Sequence, residues 1–429
     1  MTSTQKHFAT VLCALLFLLA PGLVHGYARG KVVDYYTKLP VQGAVVTSGG
    51  EVAVTDDKGL FTIQAPAGNV GVRASGYLRG EQALSSALFS SPVQIHLVPF
   101  TPKALYLTVY GIGSKSIRDA ALRLIQETEL NSLVIDIKGD RGIIPFRTSI
   151  PLAAEVGAQK VITVKDMGSL VKSLKEKGIY LIARIVVFKD NPLALAHPEL
   201  AVKTRGGIWR DREGLMWVDP SRKEVWDYNI NIAEEAARYG FDEIQFDYVR
   251  FPDTKGLVFS VQNTEEQRVR AIAGFLTEAR KRLSQYNVFV TADIFGYVFW
   301  NLNDTMIGQR LEDIAAVIEY MCPMLYPSGF QFGIPGYRNP VAHPHEIVYL
   351  TLQHARERTR VPSVRFRPWL QAFRDYAFDR RPFTGKEIRD QIDAAEKFGS
   401  HGWMLWNPRN VYSDEGLKKR VRTESARSM

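Results

Sequence analysis

The sequence predicts an α/β chain in which a (β/α)8 TIM barrel follows a small N-terminal all-β sandwich. Three observations carry that prediction. Short strand-like runs punctuated by Gly, Pro and Asp fill residues 27–99. Beyond residue 103 the period changes, and eight apolar, β-rich runs alternate with amphipathic stretches up to residue 415. The first of these runs is followed only by Gly111-Ile112-Gly113-Ser114, which is no glycine-rich phosphate loop and argues against an open dinucleotide-binding sheet. Composition agrees: 46% hydrophobic and 23% charged residues over 429 positions is ordinary globular usage, ample for a buried core. The 54 Lys+Arg exceed the 45 Asp+Glu, but no basic run is longer than Lys418-Lys419-Arg420, so no nucleic-acid partner is expected.

Residues 1–26 read as a signal peptide. Lys6 and His7 precede the apolar stretch Val11–Leu19, Pro21 breaks it, and Val24-His25-Gly26 offers a cleavage site before Tyr27. The run is short for a membrane span, with a signal anchor as the other reading, and no cysteine stands at the cleavage point for a lipid anchor. Removal takes Cys13 away and leaves Cys322 without an intramolecular partner, so stability must come from packing. A bacterial periplasmic or secreted protein, without a stable membrane span once the leader is removed, is the expectation.

The sandwich is read from Lys31–Val33, Pro40–Val46, Val52–Val54, Leu60–Ile63, Val70–Ala74 and Val93–Leu97, with an antiparallel arrangement expected and reversals at Asp56-Asp57-Lys58-Gly59 and Pro66-Ala67-Gly68. The motifs Gly30-x-Val32-x-Asp34, Pro40-Val41-x-Gly43-Ala44-x-Val46, Thr55-Asp56-x-x-Gly59-x-Phe61 and Ala74-x-Gly76-Tyr77 resemble the carboxypeptidase regulatory-like domain family over residues 27–99. That resemblance implies an accessory module without chemistry of its own. Phe100-Thr101-Pro102 reads as a linker.

The barrel strands are expected at 104–111, 132–137, 179–188, 243–250, 288–295, 316–325, 365–372 and 402–407. Between them the helical period appears in Ser116–Thr128, Met167–Lys177, Lys223–Tyr239, Asn263–Gln285 and Thr384–Phe398, and residues 416–429 read as a solvated tail. Chemistry in such barrels sits where strands end. The informative residues are therefore polar groups that interrupt the ends of apolar strands: Asp136, Arg184, Asp247 and Asp293. Asp247 follows Phe246 inside an apolar run, where a carboxylate must be hydrogen-bonded or paired, with Arg250 or Arg184 as partner, or hold a raised pKa. Strand alternation puts Gln245, Asp247 and Val249 on one face and Phe246, Tyr248 and Arg250 on the other. Two carboxylates at neighbouring strand ends are what glycosidic cleavage needs, one donating a proton and the other attacking or activating water. Tyr110, Trp217, Tyr248, Phe295, Tyr320, Tyr326 and Trp406 are candidate sugar platforms. His343-Pro344-His345-Glu346 lacks a clear third ligand, and Pro344 is read as breaking any helix there, so a loop is expected in place of a metal site. Cys322, within an apolar strand, reads as a buried hydrophobe.

The stretch Gly240-Phe241-Asp242-Glu243-Ile244-Gln245-Phe246-Asp247-Tyr248-Val249-Arg250-Phe251-Pro252 resembles the signature of a bacterial glycoside hydrolase family that began as a domain of unknown function, with an alpha-amylase-like barrel. Trp217-Val218-Asp219-Pro220, Ala292–Gly296, Tyr320–Pro327 and Trp406-Asn407 fit the same pattern, so the resemblance covers residues 103–415. It implies a polysaccharide-directed hydrolase, and with the leader of residues 1–26 the expectation is an exported enzyme acting on a polysaccharide or oligosaccharide. Asp247 would be nucleophile or base and Asp293 the general acid. Arg250, Arg184 and Asp136 would orient charge or substrate, and Trp217, Tyr248, Tyr320 and Trp406 would hold sugar rings. No metal or organic cofactor is expected. The departures are informative. Gln245 stands where amylase-like barrels carry an Arg, Asp293 where they carry a Glu, and Val249 where chitinase-like barrels place the terminal acid of this motif, which leaves substrate-assisted chemistry unsupported. A non-catalytic carbohydrate- or envelope-binding protein on the same scaffold is the alternative.

Overall fold

The structure, a computed structural model, describes residues 26–65, 69–83 and 92–420. The signal-peptide segment up to residue 25, the turn Pro66-Ala67-Gly68 and residues 421–429 lie outside the described residues.

The first seven strands are β1 (Gly26–Asp34), β2 (Val45–Ser48), β3 (Glu51–Val54), β4 (Leu60–Ala65), β5 (Asn69–Arg73), β6 (Gly80–Ala83) and β7 (Val93–Leu97). They form two sheets, β4-β1-β7 and β3-β2-β5-β6, packed over Val32, Val46, Ile63, Val72 and Ile95. The expected sandwich is present with one correction: β1 and β7 pair in parallel, because the intervening strands carry the chain from the end where it leaves β1 back to the opposite end of the layer before β7 begins. The Asp56 turn is built as its residues require. Asp56 Oδ1 accepts from the Lys58 and Leu60 amides at 2.9 and 2.8 Å, and Gly59 takes φ +72° where a Cβ would meet the Val32 carbonyl.

Eight parallel strands then close a barrel in chain order: β8 (Lys103–Leu107), β9 (Ser132–Lys138), β10 (Tyr180–Val186), β13 (Glu243–Asp247), β14 (Phe289–Phe295), β15 (Tyr320–Met324), β16 (Trp369–Gln371) and β17 (Trp403–Trp406). A two-residue ribbon, β11 (Lys203–Thr204) with β12 (Gly207–Ile208), sits in the loop after β10. The helices are α1 (Val109–Gly113), α2 (Lys115–Glu127), α3 (Pro151–Glu155), α4 (Met167–Lys175), α5 (Asn191–Ala196), α6 (Lys223–Tyr239), α7 (Glu265–Leu283), α8 (Leu311–Val317), α9 (Pro344–Thr359) and α10 (Gly385–Phe398). Each expected strand is found, generally trimmed at its ends. Val109–Gly111 joins α1 because Thr108 accepts the Gly111 amide at 3.0 Å and caps a helix there. Pro344 opens α9 where a break was expected, since a proline at the first helical position forfeits no hydrogen bond.

Alternation along the strands makes two cores. Outward residues pack under the helices, as Phe246 does against Phe275 of α7 with centroids 5.0 Å apart. Inward residues fill the barrel with Tyr106, Val134, Ile182, Phe289, Cys322, Trp369 and Met404. Cys322 is buried there, as expected, beside the Gln245 amide nitrogen at 3.2 Å.

The N-terminal end of the barrel is closed by charge and by the sandwich. Glu243, wholly buried, accepts from Arg367 Nη1, from the Tyr180 hydroxyl at 3.0 Å and from Thr291 at 2.9 Å. Below this cluster Phe100 stacks on Tyr180, and Leu78 packs onto the barrel interior. The expected linker is thus part of a plug. The sandwich is tied down by Arg79 to Asp242 and the Gly240 carbonyl at 3.2 Å each, by the Gly76 amide to the Tyr320 hydroxyl at 3.1 Å, and by Arg73 to Glu319 at 3.2 Å. The start of the expected tail is also anchored: the Glu129 amide donates to the Lys418 carbonyl at 2.8 Å and the Arg420 amide to Glu127 at 2.9 Å.

His401 completes the base. Its Nδ1 accepts from Arg367 Nη2 at 2.8 Å, so the ring is neutral and Nε2–H donates to the Phe100 carbonyl. Burial, then the Arg367 charge, hold its pKa down at about 3. Because protonation favours the unfolded chain, this contribution is complete above pH 6.5 and is lost as pH falls toward 3. Chemical denaturation across that window should show stability falling by up to about 1.4 kcal/mol per pH unit, and His401→Gln should flatten that slope.

Candidate active site

Arg184, in β10, is fully buried at the C-terminal mouth of the barrel and gathers carboxylates from neighbouring strands. Its Nη1 donates to Asp136 Oδ1 at 2.6 Å, its Nε to Asp247 Oδ2 at 2.9 Å, and its Nη2 to both Asp247 Oδ2 at 2.5 Å and Asp140 Oδ1 at 3.0 Å. Asp293 Oδ2 lies 3.9 Å from Nε, beyond a hydrogen bond. The guanidinium rests over Trp406, 4.8 Å to the ring centroid, and Trp406 stacks on Tyr106 at 3.9 Å. Of the two partners the sequence offered Asp247, Arg184 takes the role and Arg250 does not.

Local backbone features aim these groups. A register shift between β9 and β10 follows the Asp136–Arg184 pairing. It turns Lys138 out of the barrel, to Asp190 at 2.6 Å and Asn229 of α6 at 2.7 Å, so Arg184 alone neutralises Asp136. Asp140 follows in a tight reversal closed by the Gly139 amide on Ile143 O at 3.0 Å. Gly142 holds φ +74° there, and a Cβ would strike the Asp190 carboxylate. Strand β13 ends at Asp247, and Tyr248 takes φ +48° with its amide donating to Asp247 Oδ1 at 2.5 Å. Such a left-handed tyrosine is strained backbone held by its surroundings. It also corrects the expected strand length: alternation stops at Asp247, so Tyr248 and Arg250 swing to the mouth.

The ionisation pattern follows from burial. Asp136, which also accepts from the Tyr106 hydroxyl at 2.7 Å, is pushed up to about 6 by burial, with Arg184 opposing. Asp293 is driven well above the usual carboxylate range by burial and then by the charge of Asp247, with which it shares a hydrogen bond. Asp293 therefore carries the proton of this pair, and its Oδ1 accepts Trp369 Nε1–H at 2.7 Å.

A cavity of about 240 Å³ opens above, lined by Arg184, Asp247, Tyr248, Arg250, Trp369 and Trp406, with Phe295, Tyr326, Phe330 and Tyr376 in its aromatic walls. A second cavity of about 180 Å³ shares Tyr248 and Arg250 and adds Lys189, Trp209, Asp211 and Trp217. Of the expected site residues, Asp247, Arg184, Tyr248, Arg250 and Trp406 meet at the first cavity, and Trp217 borders the second. Asp136 is buried behind Arg184. Asp293, 1% exposed and absent from both walls, does not reach the cleft expected of a general acid. Tyr320 is corrected outright: it lies at the opposite end of the barrel under Arg367 and the sandwich. Tyr110 is exposed outside both cavities. Sequence reasoning missed Asp140, although it stands two residues past the end of an apolar strand, and Trp369 and Tyr376, which carried no distinguishing signal.

A barrel with carboxylates and aromatics at its C-terminal mouth defines a carbohydrate-hydrolase class of site, and the comparisons with known proteins agree. The chain belongs to the family described as "Putative glycosyl hydrolase domain", whose profile matches residues 104–412. Among solved structures it is similar to the glycoside hydrolase domain of PgaB (BpsB) from Bordetella bronchiseptica, at 14% identity and TM-score 0.54, over 73% of this chain and 95% of that one. It is also similar to a hypothetical protein from Ruminiclostridium thermocellum, at 40% identity over 44% of this chain and 96% of that one, with TM-score 0.40. The spore cortex-lytic enzyme SleL of Bacillus megaterium matches at 14% identity and TM-score 0.42, over 77% of this chain and 76% of that one. No curated protein matched the chain.

A neutral Asp293 has a direct test. Asp293→Asn keeps a donor toward Asp247 and an acceptor for Trp369, and should unfold at nearly the wild-type urea concentration. Asp293→Ala strands both partners and should cost about 1–3 kcal/mol. Equal losses in the two variants would mean that the group is ionised.

Proposed function

We propose that this chain is an exported glycoside hydrolase that cleaves a poly- or oligosaccharide at the barrel mouth, with Asp247 as nucleophile or base. The observation that carries the reading is Asp247 itself: a carboxylate at a strand end, clamped through Oδ2 by two Arg184 N–H groups, with its edge on an aromatic-walled cavity. Clamping fixes the attacking oxygen, and excluded water strengthens every charge interaction there.

In this reading Asp293 is the proton-holding partner that orients Asp247, and the acid that meets the leaving oxygen is Asp140, which like Asp293 lines neither cavity but, unlike it, is open to solvent beside Arg184. Its side chain is 38% exposed, and Oδ1 shares Arg184 Nη2 with Asp247 Oδ2 at 3.0 and 2.5 Å, so those oxygens are no more than 5.5 Å apart. Two carboxyl groups that share one guanidinium nitrogen are close-set, which favours a retaining double displacement over an inverting one, whose water needs roughly 6.5–9.5 Å between them. Export is supported by the pattern of residues 1–26, and no helix among the described residues is long and apolar enough to cross a membrane. The motifs of residues 27–99 support a carboxypeptidase regulatory-like module serving as the barrel's closure.

Two variants test the assignment on 4-nitrophenyl glycosides and a panel of polysaccharides. Asp247→Asn should cut reducing-sugar release by roughly 10³-fold or more while circular dichroism still shows a folded chain, the scale of removing a reacting group. Unaltered turnover would refute the role. Asp140→Asn should lose far more on 4-nitrophenyl than on 2,4-dinitrophenyl glycosides, whose leaving group needs little protonation. Proton NMR of the first-formed product should show the substrate's own anomer.

A further inference from the structure

Among the described residues, Arg250 is the half-buried cation of the mouth that the fold leaves without an anion, whereas the unpaired Arg212 of the second cavity stands exposed. Arg184 is held by Asp136, Asp140 and Asp247, and Lys189 by Asp211 at 3.3 Å and Glu213 at 2.7 Å. Arg250 has no ion pair among the described residues, and its one hydrogen bond runs from Nη1 to the Phe251 carbonyl at 3.1 Å. Four of its five N–H donors are thus free of protein acceptors. It is half-buried, with its guanidinium 4.9 Å from the Trp217 ring centroid and 5.4 Å from that of Tyr248. Two aromatic rings therefore set the position of a planar fork, so little side-chain entropy remains to be lost on binding. It borders both cavities, one of which holds Asp247.

A preset guanidinium fork matches a planar carboxylate through two parallel hydrogen bonds. The other charges near it do not compete for it: Asp211 accepts Trp217 Nε1–H and pairs with Lys189, while Arg212 and Asp253 stand exposed on the rim of the second cavity. We infer that Arg250 is the specificity-determining residue of this site and binds the carboxylate of an acidic sugar, a uronic acid or a lactyl-ether sugar, beside the scissile bond. The inference rests on the hydrolase reading and names its substrate class. A glycan lying across both cavities would pass over the Tyr248–Arg250 wall with its acidic unit on the fork.

The test is calorimetric binding to the full mature chain carrying Asp247→Asn, so that turnover plays no part. The probes are short oligomers of galacturonate, mannuronate, and glucuronate alternating with N-acetylglucosamine, together with muramic-acid oligomers. Each is paired with its carboxyl-reduced form, and a sulfated neutral oligosaccharide is included. At least one acidic oligomer should bind tenfold or more tighter than its reduced form. Adding Arg250→Gln should erase that difference by weakening the acidic oligomer tenfold or more and the reduced form far less, and Arg250→Lys should restore part of it. Equal binding of acidic and reduced forms, equal weakening of both by Arg250→Gln, or equal capture of the sulfated control would overturn the inference. Failure of the hydrolase reading would look different: preference for the acidic oligomer would persist, while the wild-type chain released no product from it.

Discussion

The mouth of this barrel is organised around one buried guanidinium. A charged group removed from water is tolerated only when paired and hydrogen-bonded, and Arg184 meets that demand with Asp136, Asp140 and Asp247. The cluster holds more carboxylates than one cation can neutralise, and the excess decides the chemistry. Asp293, at 3.9 Å and outside the hydrogen-bonding shell, is the one driven well above the usual range. Asp136, bound directly, is raised only to about 6. Burial raises both groups, and Arg184 opposes that rise in each of them.

The two ends of the barrel are built alike and used differently. At the base, the Arg367–Glu243 pair is sealed by Tyr180, His401, Phe100 and the sandwich, so its charges have no access to solvent or ligand. At the mouth the aromatic lid is incomplete and leaves Asp247 on a cavity wall. Placing the sandwich at the base means that none of its residues lines either mouth cavity. Its contribution to the site is indirect: it closes the inward core from below.

Much of this was legible in the residues. The change of period near residue 103 and the eight apolar runs are local signals that located the barrel, and strand-end position singled out Asp247 and Arg184, which the structure brings together at one mouth. The errors share a cause. Asp293 and Tyr320 were judged by strand position, but depth along a barrel strand depends on the shear between neighbours, which one chain segment does not carry. Tyr248 and Arg250 were assigned by alternation, which ended at a left-handed tyrosine that no local propensity predicts.

The sequence by itself determined the periodicities, the turn and cap chemistry, and the presence of carboxylates inside apolar strands, because each depends on neighbours within a few positions. The tertiary structure decided which aspartate faces the cleft, which arginine is spent on pairing and which is left free, and that Phe100 is a plug. Those outcomes depend on contacts between groups tens to hundreds of residues apart, such as Arg184 with Asp136, 48 positions away, and Asp247, 63 positions away. Charge pairing and desolvation fall off within a few ångströms of space, whatever the separation in sequence.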